Sequence, residues 1–239
     1  MVMNMINWFG DANGYVGNIN LKPEISNTLS ASAKWSDAGQ TQWGMQVTTY
    51  YTQVEDYIDA VPCATIGKTC PTRTDKFVNL SFANQSARIY GFDISGFLPV
   101  SETGGAWGSW SATGMLSYVR GKNTVTDDNL YNIMPINAKL ALVQKLGNWT
   151  NTAETHWVSA KTETSSVRTE TQTPGYGVVN VRTSYQWKRA RLDMGIDNLL
   201  NKLYAEPLGG AYYGQRGSVW GVSAPAPARS VNLGFSMQF

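Results

Sequence analysis

One feature constrains this chain more than any other: apolar and polar residues alternate strictly, and they do so again and again along its length. In 42–52 the odd positions are Trp43, Met45, Val47, Thr49 and Tyr51, and the even ones are Gln42, Gly44, Gln46, Thr48, Tyr50 and Thr52. In 179–187, Val179, Val181, Thr183, Tyr185 and Trp187 alternate with Asn180, Arg182, Ser184 and Gln186. At the end, Val231, Leu233, Phe235, Met237 and Phe239 alternate with Asn232, Gly234, Ser236 and Gln238. A period of two sends successive side chains to opposite faces of a strand, so each run reads as a strand with one apolar and one polar face.

The pattern predicts about nine strands, at 27–36, 41–56, 76–98, 106–120, 137–146, 149–161, 176–187, 190–197 and 229–239. Several exceed the roughly 5–6 residues common in globular sheets and suit the roughly 9–11 that a tilted strand needs to cross a bilayer. Their connections alternate in length. Short ones fall at 37–39, 99–105, 147–148 and 188–189, and long ones at 57–75, 121–136, 162–175 and 198–228. Sorting by parity is expected of a transmembrane barrel, with tight turns on one side of the membrane and long loops on the other.

Composition agrees. Only 15% of the 239 residues are charged, against roughly 25% in soluble domains. The net charge of +2 leaves no electrostatic footprint for nucleic acid. No run of about 18 apolar residues exists for a transmembrane helix. Trp35, Trp43, Tyr51, Trp110, Tyr118, Trp149, Trp157, Tyr185 and Trp187 fall near strand ends on the apolar face, as interfacial girdles do. The competing architecture is a soluble sandwich, a carbohydrate-binding one for instance, in which aromatics would concentrate in mid-strand.

The fold expected is therefore all-β, a transmembrane antiparallel β-barrel. Its inner face carries Lys34, Glu154, His156, Arg182, Arg191, Asp193 and Asp197, which implies a wide, wet lumen. Nine is an odd count, whereas single-chain bacterial barrels have even ones. The nine strands thus read as part of a larger wall. Met1 to Gly10 lack the basic and apolar regions of a signal peptide, which suggests a mature form or a fragment.

Three segments carry a family resemblance: Gly17-Asn18-Ile19-Asn20-Leu21-Lys22-Pro23-Glu24, the stretch from Tyr176 to Tyr204 with its Asn198-Leu199-Leu200-Asn201-Lys202, and the last strand, Ser230 to Phe239. Together they resemble the C-terminal barrel portion of TonB-dependent outer-membrane receptors. The resemblance implies that residues 1–239 are the last nine strands of a 22-stranded barrel in the outer membrane of a Gram-negative bacterium, without the N-terminal plug. It implies uptake of a scarce nutrient, energised by TonB through the missing N-terminal region. It also implies that Phe239 is part of the signal read by the barrel-assembly machinery. Val54-Glu55-Asp56-Tyr57-Ile58-Asp59, Leu208 to Gly214 and Trp220 to Pro225 resemble the copper receptors of the family, while siderophore receptors share the general motifs. A passive pore or a structural barrel is the alternative function.

Candidate chemistry is sparse. The one histidine has no nucleophile at a recognisable spacing, so no enzyme is expected. No cofactor is expected, with copper ion as a transported ligand only. Met1, Met3 and Met5 alternate, which puts three thioethers on one side of an extended segment. Met134 lies in a loop on the same side of the barrel. Thioethers suit Cu(I), and the competing reading is ordinary apolar residues. Glu154 and His156 share one strand face, where they touch a permeating ion or simply a wet wall. Cys63 and Cys70 are close enough for a small disulfide clipping an outer loop, against two neighbouring free thiols. Outer-membrane lipid, the assembly machinery and TonB are the partners expected.

Overall fold

A computed structural model describes residues 2–4, 13–39, 42–67, 78–101, 105–212 and 222–238. Nine long strands follow one another: β3 (Ile25–Ser36), β4 (Gly44–Pro62), β5 (Asn79–Ser101), β6 (Ser109–Asn123), β7 (Asn137–Leu146), β8 (Trp149–Val158), β9 (Tyr176–Gln186), β10 (Ala190–Asp197) and β13 (Ser230–Met237). Each pairs antiparallel with the next. Two three-residue strands precede them, β1 (Val2–Asn4) and β2 (Gly14–Val16). They pair with each other, and β2 runs parallel to β5 at Asn79–Ser81. The two-residue strands β11 (Ala211–Tyr212) and β12 (Val222–Ser223) form a separate pair.

The register settles the faces. Directly opposed residues share a face, and following them from strand to strand keeps one set together. Lys34 faces Gln46, Gln46 faces Ser95, Ser95 faces Met115, Met115 faces Lys139, and Lys139 faces His156. Thr152 faces Arg182, Arg182 faces Gly195, and Gly195 faces Asn232. The opposite face is predominantly apolar, with Trp35, Met45, Leu116, Leu140, Leu142, Val181, Met194, Leu233 and Phe235 among others, all but Leu116 exposed. No second sheet covers this surface among the described residues, which is the opposite of a sandwich. An apolar surface of this extent marks contact with lipid or a partner.

Its aromatics lie in two belts. Trp43 and Tyr51, Trp110 and Tyr118, and Trp149 and Trp157 are each eight residues apart on this face. Eight residues span about 26 Å along a strand, and a tilt of about 40° foreshortens that to about 20 Å, near the apolar band of an outer-membrane barrel.

The turns between β7 and β8 and between β9 and β10 are tight. Gly147 has φ of 57°, a conformation that costs a residue with a Cβ far more than glycine. The longer connections lie at the other end. Among the described residues, buried clusters form only there, on the inner side: Tyr15, Ala60 and Leu80; Val54, Ala87 and Leu130; and Val158, Tyr176 and Val178. The middle of the sheet has no buried core because both of its faces are open. β3 and β13, the two edges, run in the same direction, so they cannot close on each other in an antiparallel ladder.

The strand bounds differ from the sequence reading at one instructive place. β4 continues to Pro62, six residues past the expected end at 56. The register shifts between Glu55 and Tyr57, with Asp56 at φ of 53°. This bulge reverses the alternation, so the pattern ends where the strand does not.

Candidate functional site

The inner face is the surface on which a permeating solute would act, and its polar residues are largely engaged with one another. Arg182 on β9 lies between carboxylates of two neighbours. Its Nη2 is 2.8 Å from Asp197 Oδ1 on β10, and its Nη1 is 3.7 Å from Glu154 Oε1 on β8. Asn180 donates to the same Glu154 oxygen at 3.1 Å, and Asn232 donates to Asp197 Oδ2 at 2.6 Å. Arg191 grips Asp193 on its own strand, with Nε donating to both oxygens at 2.9 and 3.0 Å. These groups are a quarter to a half exposed, so the pairs are worth little energy individually. Their effect is to balance most of this charge while keeping the wall wet.

Of the residues expected on the inner face, the structure brings Glu154, Arg182 and Asp197 into one network and leaves Arg191 with Asp193 beside it. A groove of about 390 Å³ lined by Thr152, Arg182, Arg191, Asp193 and Asn232 covers this region. A second groove of about 530 Å³ is lined by Lys34, Gln46, Met115, Lys139 and Glu154. His156 sits apart from the network, its ring edge-on to Tyr176 at 5.9 Å. Met134 packs against the buried cluster of Val158, Tyr176 and Val178. Among the described residues no three His, Cys, Asp or Glu side chains converge on a metal position. Met3 pairs with Tyr15 through the β1–β2 ladder, and Met5, Cys70 and Phe239 lie outside the described residues. Cys63 is buried and disulfide-bonded.

Above the polar wall lies an arrangement that sequence reading missed. The connection from β8 to β9 packs against the β6–β7 connection and reaches across to β2 and the outer ends of β4 and β5. Arg168 at its tip is buried, with Nη1 donating to the Tyr15 hydroxyl at 2.7 Å and its guanidinium 4.9 Å from the Tyr131 ring centre. Asn13 donates to the Arg168 carbonyl at 2.8 Å, and Asp59 lies 3.9 Å from Nη2. At the base of the loop, Lys161 and Glu170 form an ion pair of 2.6 Å with side chains 2% and 6% exposed. Glu170 also accepts from the backbone of Asn132 and Ser165.

Asp128 ties the same loop to its neighbour. It accepts the hydroxyls of Ser165 and Ser166 at 3.1 and 2.6 Å and the backbone N–H groups of Ser166 and Val167 at 3.0 and 3.1 Å. Burial pushes this carboxyl up, but the hydrogen bonds from Ser166, Val167 and Ser165 outweigh it and hold Asp128 below the ordinary carboxylate value. All these contacts join residues 37 or more positions apart, so no local motif announces them.

The comparisons with known proteins fit this architecture. The TonB dependent receptor-like, beta-barrel family model matches residues 4–199. No curated protein matches the sequence. Among solved structures, the chain is similar to the copper transporter OprC, with TM-score 0.78 and 20% identity, covering 93% of this chain and 34% of that one. It is also similar to the ferric enterobactin receptor PfeA of Pseudomonas aeruginosa (TM-score 0.68, 18% identity, 97% of this chain and 34% of that one). The FrpB iron transporter of Neisseria meningitidis aligns with TM-score 0.64 and 14% identity, over 94% of this chain and 32% of that one. The chain thus spans about a third of the length of the structures it resembles. With its nine-stranded wall, polar inside and apolar outside, the chain belongs to the TonB-dependent receptor-like β-barrel family.

Proposed function

We propose that this chain is wall of an outer-membrane receptor that imports a scarce nutrient, copper or a metal chelate such as a siderophore, with energy delivered through TonB. The family is one of transport receptors, not enzymes. The observation that carries the reading is the inner face: a largely polar surface from Lys34 on β3 to Asn232 on β13, in which Arg182 is shared between the carboxylates of Glu154 and Asp197. Such a wall lets a polar solute pass without trapping it. The likeness to a copper transporter and to iron-siderophore receptors supports metal as the cargo class.

In this reading residues 1–239 are barrel and the plug belongs to the rest of the protein, which makes the contact with TonB. Phe239 serves barrel assembly, and outer-membrane lipid covers the apolar face. Met3, Met5 and Met134 are the candidate thioether ligands for copper at the outer entrance, and His156 and Glu154 are inner-face contacts further down. The test is accumulation of radioactive copper, and separately of ferric siderophore, by cells with and without the complete protein. The reading requires protein-dependent uptake of one of them that stops when the proton gradient is collapsed. Uptake that survives collapse would replace the receptor with a passive pore, and no uptake of either would remove metal as the cargo.

A further inference from the structure

The apolar face ends at its outer rim in an ordered sequence of rows. Phe92 and Tyr118 are directly opposed on β5 and β6, with ring centres 5.6 Å apart. One row further out, Tyr51 and Tyr90 stack at 6.5 Å, and Arg120 stands opposite Tyr90. One row beyond that, Arg88 on β5 is directly opposite Lys122 on β6. The order is aliphatic, aromatic, cationic, on the surface that faces lipid.

Opposed like charges on neighbouring strands destabilise a sheet. Local acids relieve this only in part. Lys122 reaches the exposed Asp127 at 2.9 Å, and Arg120 reaches Glu163 at 2.7 Å. Glu55 is the remaining acid of this rim; Arg88 also feels the charge of Asp127, but it makes no close ion pair with any described residue. Beneath Arg88 the tyrosine and phenylalanine rings line an open groove of about 420 Å³. Arg and Lys bind phosphate through charge-assisted hydrogen bonds, and basic groups just outside an apolar band recognise anionic lipid headgroups.

We infer that the outer rim of β5 and β6 binds a phosphorylated membrane lipid, its phosphate between Arg88 and Lys122 and an acyl chain in the groove of Tyr51, Tyr90, Phe92 and Tyr118. The inference rests on the membrane-spanning reading, and it commits to a lipid rather than a soluble phosphate because the cations sit at the head of an apolar groove.

The test is native mass spectrometry of the complete protein in mild detergent, titrated with phosphatidic acid, with phosphatidylcholine, and with phosphatidic acid against millimolar inorganic phosphate. The inference predicts preferential retention of phosphatidic acid, with about fivefold loss for each of R88A and K122A. The swap R88K/K122R retains the lipid. It folds on the same terms as the alanine variants, which separates lost charge from lost structure. Equal retention of the two lipids, or an R88A/K122A protein that keeps its preference, overturns the site. Displacement by inorganic phosphate overturns the lipid as its occupant. A protein that needs no detergent to stay in solution fails at the membrane reading itself, a different outcome from a detergent-solubilised protein without lipid preference.

Discussion

Arg168 donates to the hydroxyl of Tyr15 at 2.7 Å across 153 residues of sequence, and this bond pins the β8–β9 loop over the inner face. The guanidinium also faces the rings of Tyr15, Phe82 and Tyr131 and lies near Asp59. A buried cation among rings contributes about 2 kcal/mol, with a further contribution from each charged hydrogen bond. Arg168→Ala is therefore expected to speed hydrogen exchange across 162–175 by at least tenfold while leaving β7 and β8 protected. Unchanged exchange in the loop would show that Arg168 is not its anchor.

Lys161 and Glu170 give a sharper energetic signature. Removing one member of a buried pair strands the other charge, at a cost of about 3–5 kcal/mol, whereas replacing both with apolar groups is often near neutral. Lys161→Met should lower the unfolding midpoint more than the double variant Lys161→Met/Glu170→Leu. Thermal denaturation in detergent, monitored by near-ultraviolet dichroism, reads the difference. A double variant as damaged as the sum of the singles would contradict the pairing.

The loop should also respond to acid. The carboxyl of Asp128 is held below its ordinary value in the folded state. Its contribution is therefore full above the unfolded value of about 3.9 and is lost as pH falls through the lower folded value. Limited proteolysis with an acid-active protease should nick 162–175 increasingly below about pH 4. Asp128→Asn should weaken the loop at neutral pH, by about 1–2 kcal/mol, and flatten the dependence. An equal acid response in that variant would assign the effect to another group.

A single added charge distinguishes the two faces. Leu142 lies on the apolar face opposite Ala153, midway between Trp149 and Trp157, while Ala141 is on the inner face opposite Glu154. Leu142→Arg should cost about 2–4 kcal/mol in the bilayer and reduce the amount of folded barrel recovered from membranes. Ala141→Arg, beside a carboxylate, should be tolerated. Equal recovery of the two would mean that the sheet does not meet lipid as the register requires.

The wall was legible in the sequence because a two-residue period reports strands and faces directly. Val179 to Trp187 and Val231 to Met237 carry the same alternation in sequence and in structure. Legibility stopped at Asp56, where one extra residue reversed the phase and hid the last part of β4. It also stopped at β1 and β2, too short for a pattern, with β1 paired to β2 and β2 joined to β5 by a parallel ladder. The inner-face cluster of Glu154, Arg182 and Asp197 followed from strand parity. The clasp of Arg168, Asp128 and Lys161 did not: Arg168 and Asp128 bond residues far away in sequence, Lys161 and Glu170 meet only because their own loop folds back on itself, and a Ser or Arg in a loop looks the same whether solvated or buried. Parity put His156 on the inner face and Met134 in a long outer loop, but the ring contact of His156 with Tyr176 and the packing of Met134 on the cluster around it depend on how the chain folds over the wall.

The central claim is that one face of this sheet meets lipid and the other meets water. Single cysteines at Leu140, Ala141, Leu142 and Val143, on β7, test it most directly, with the complete protein in intact membranes and the native disulfide left oxidised. The account predicts that a charged, water-soluble maleimide labels positions 141 and 143 and spares 140 and 142, and that a lipid-soluble maleimide does the reverse. Labelling that does not alternate, or that alternates in the opposite phase, would contradict it.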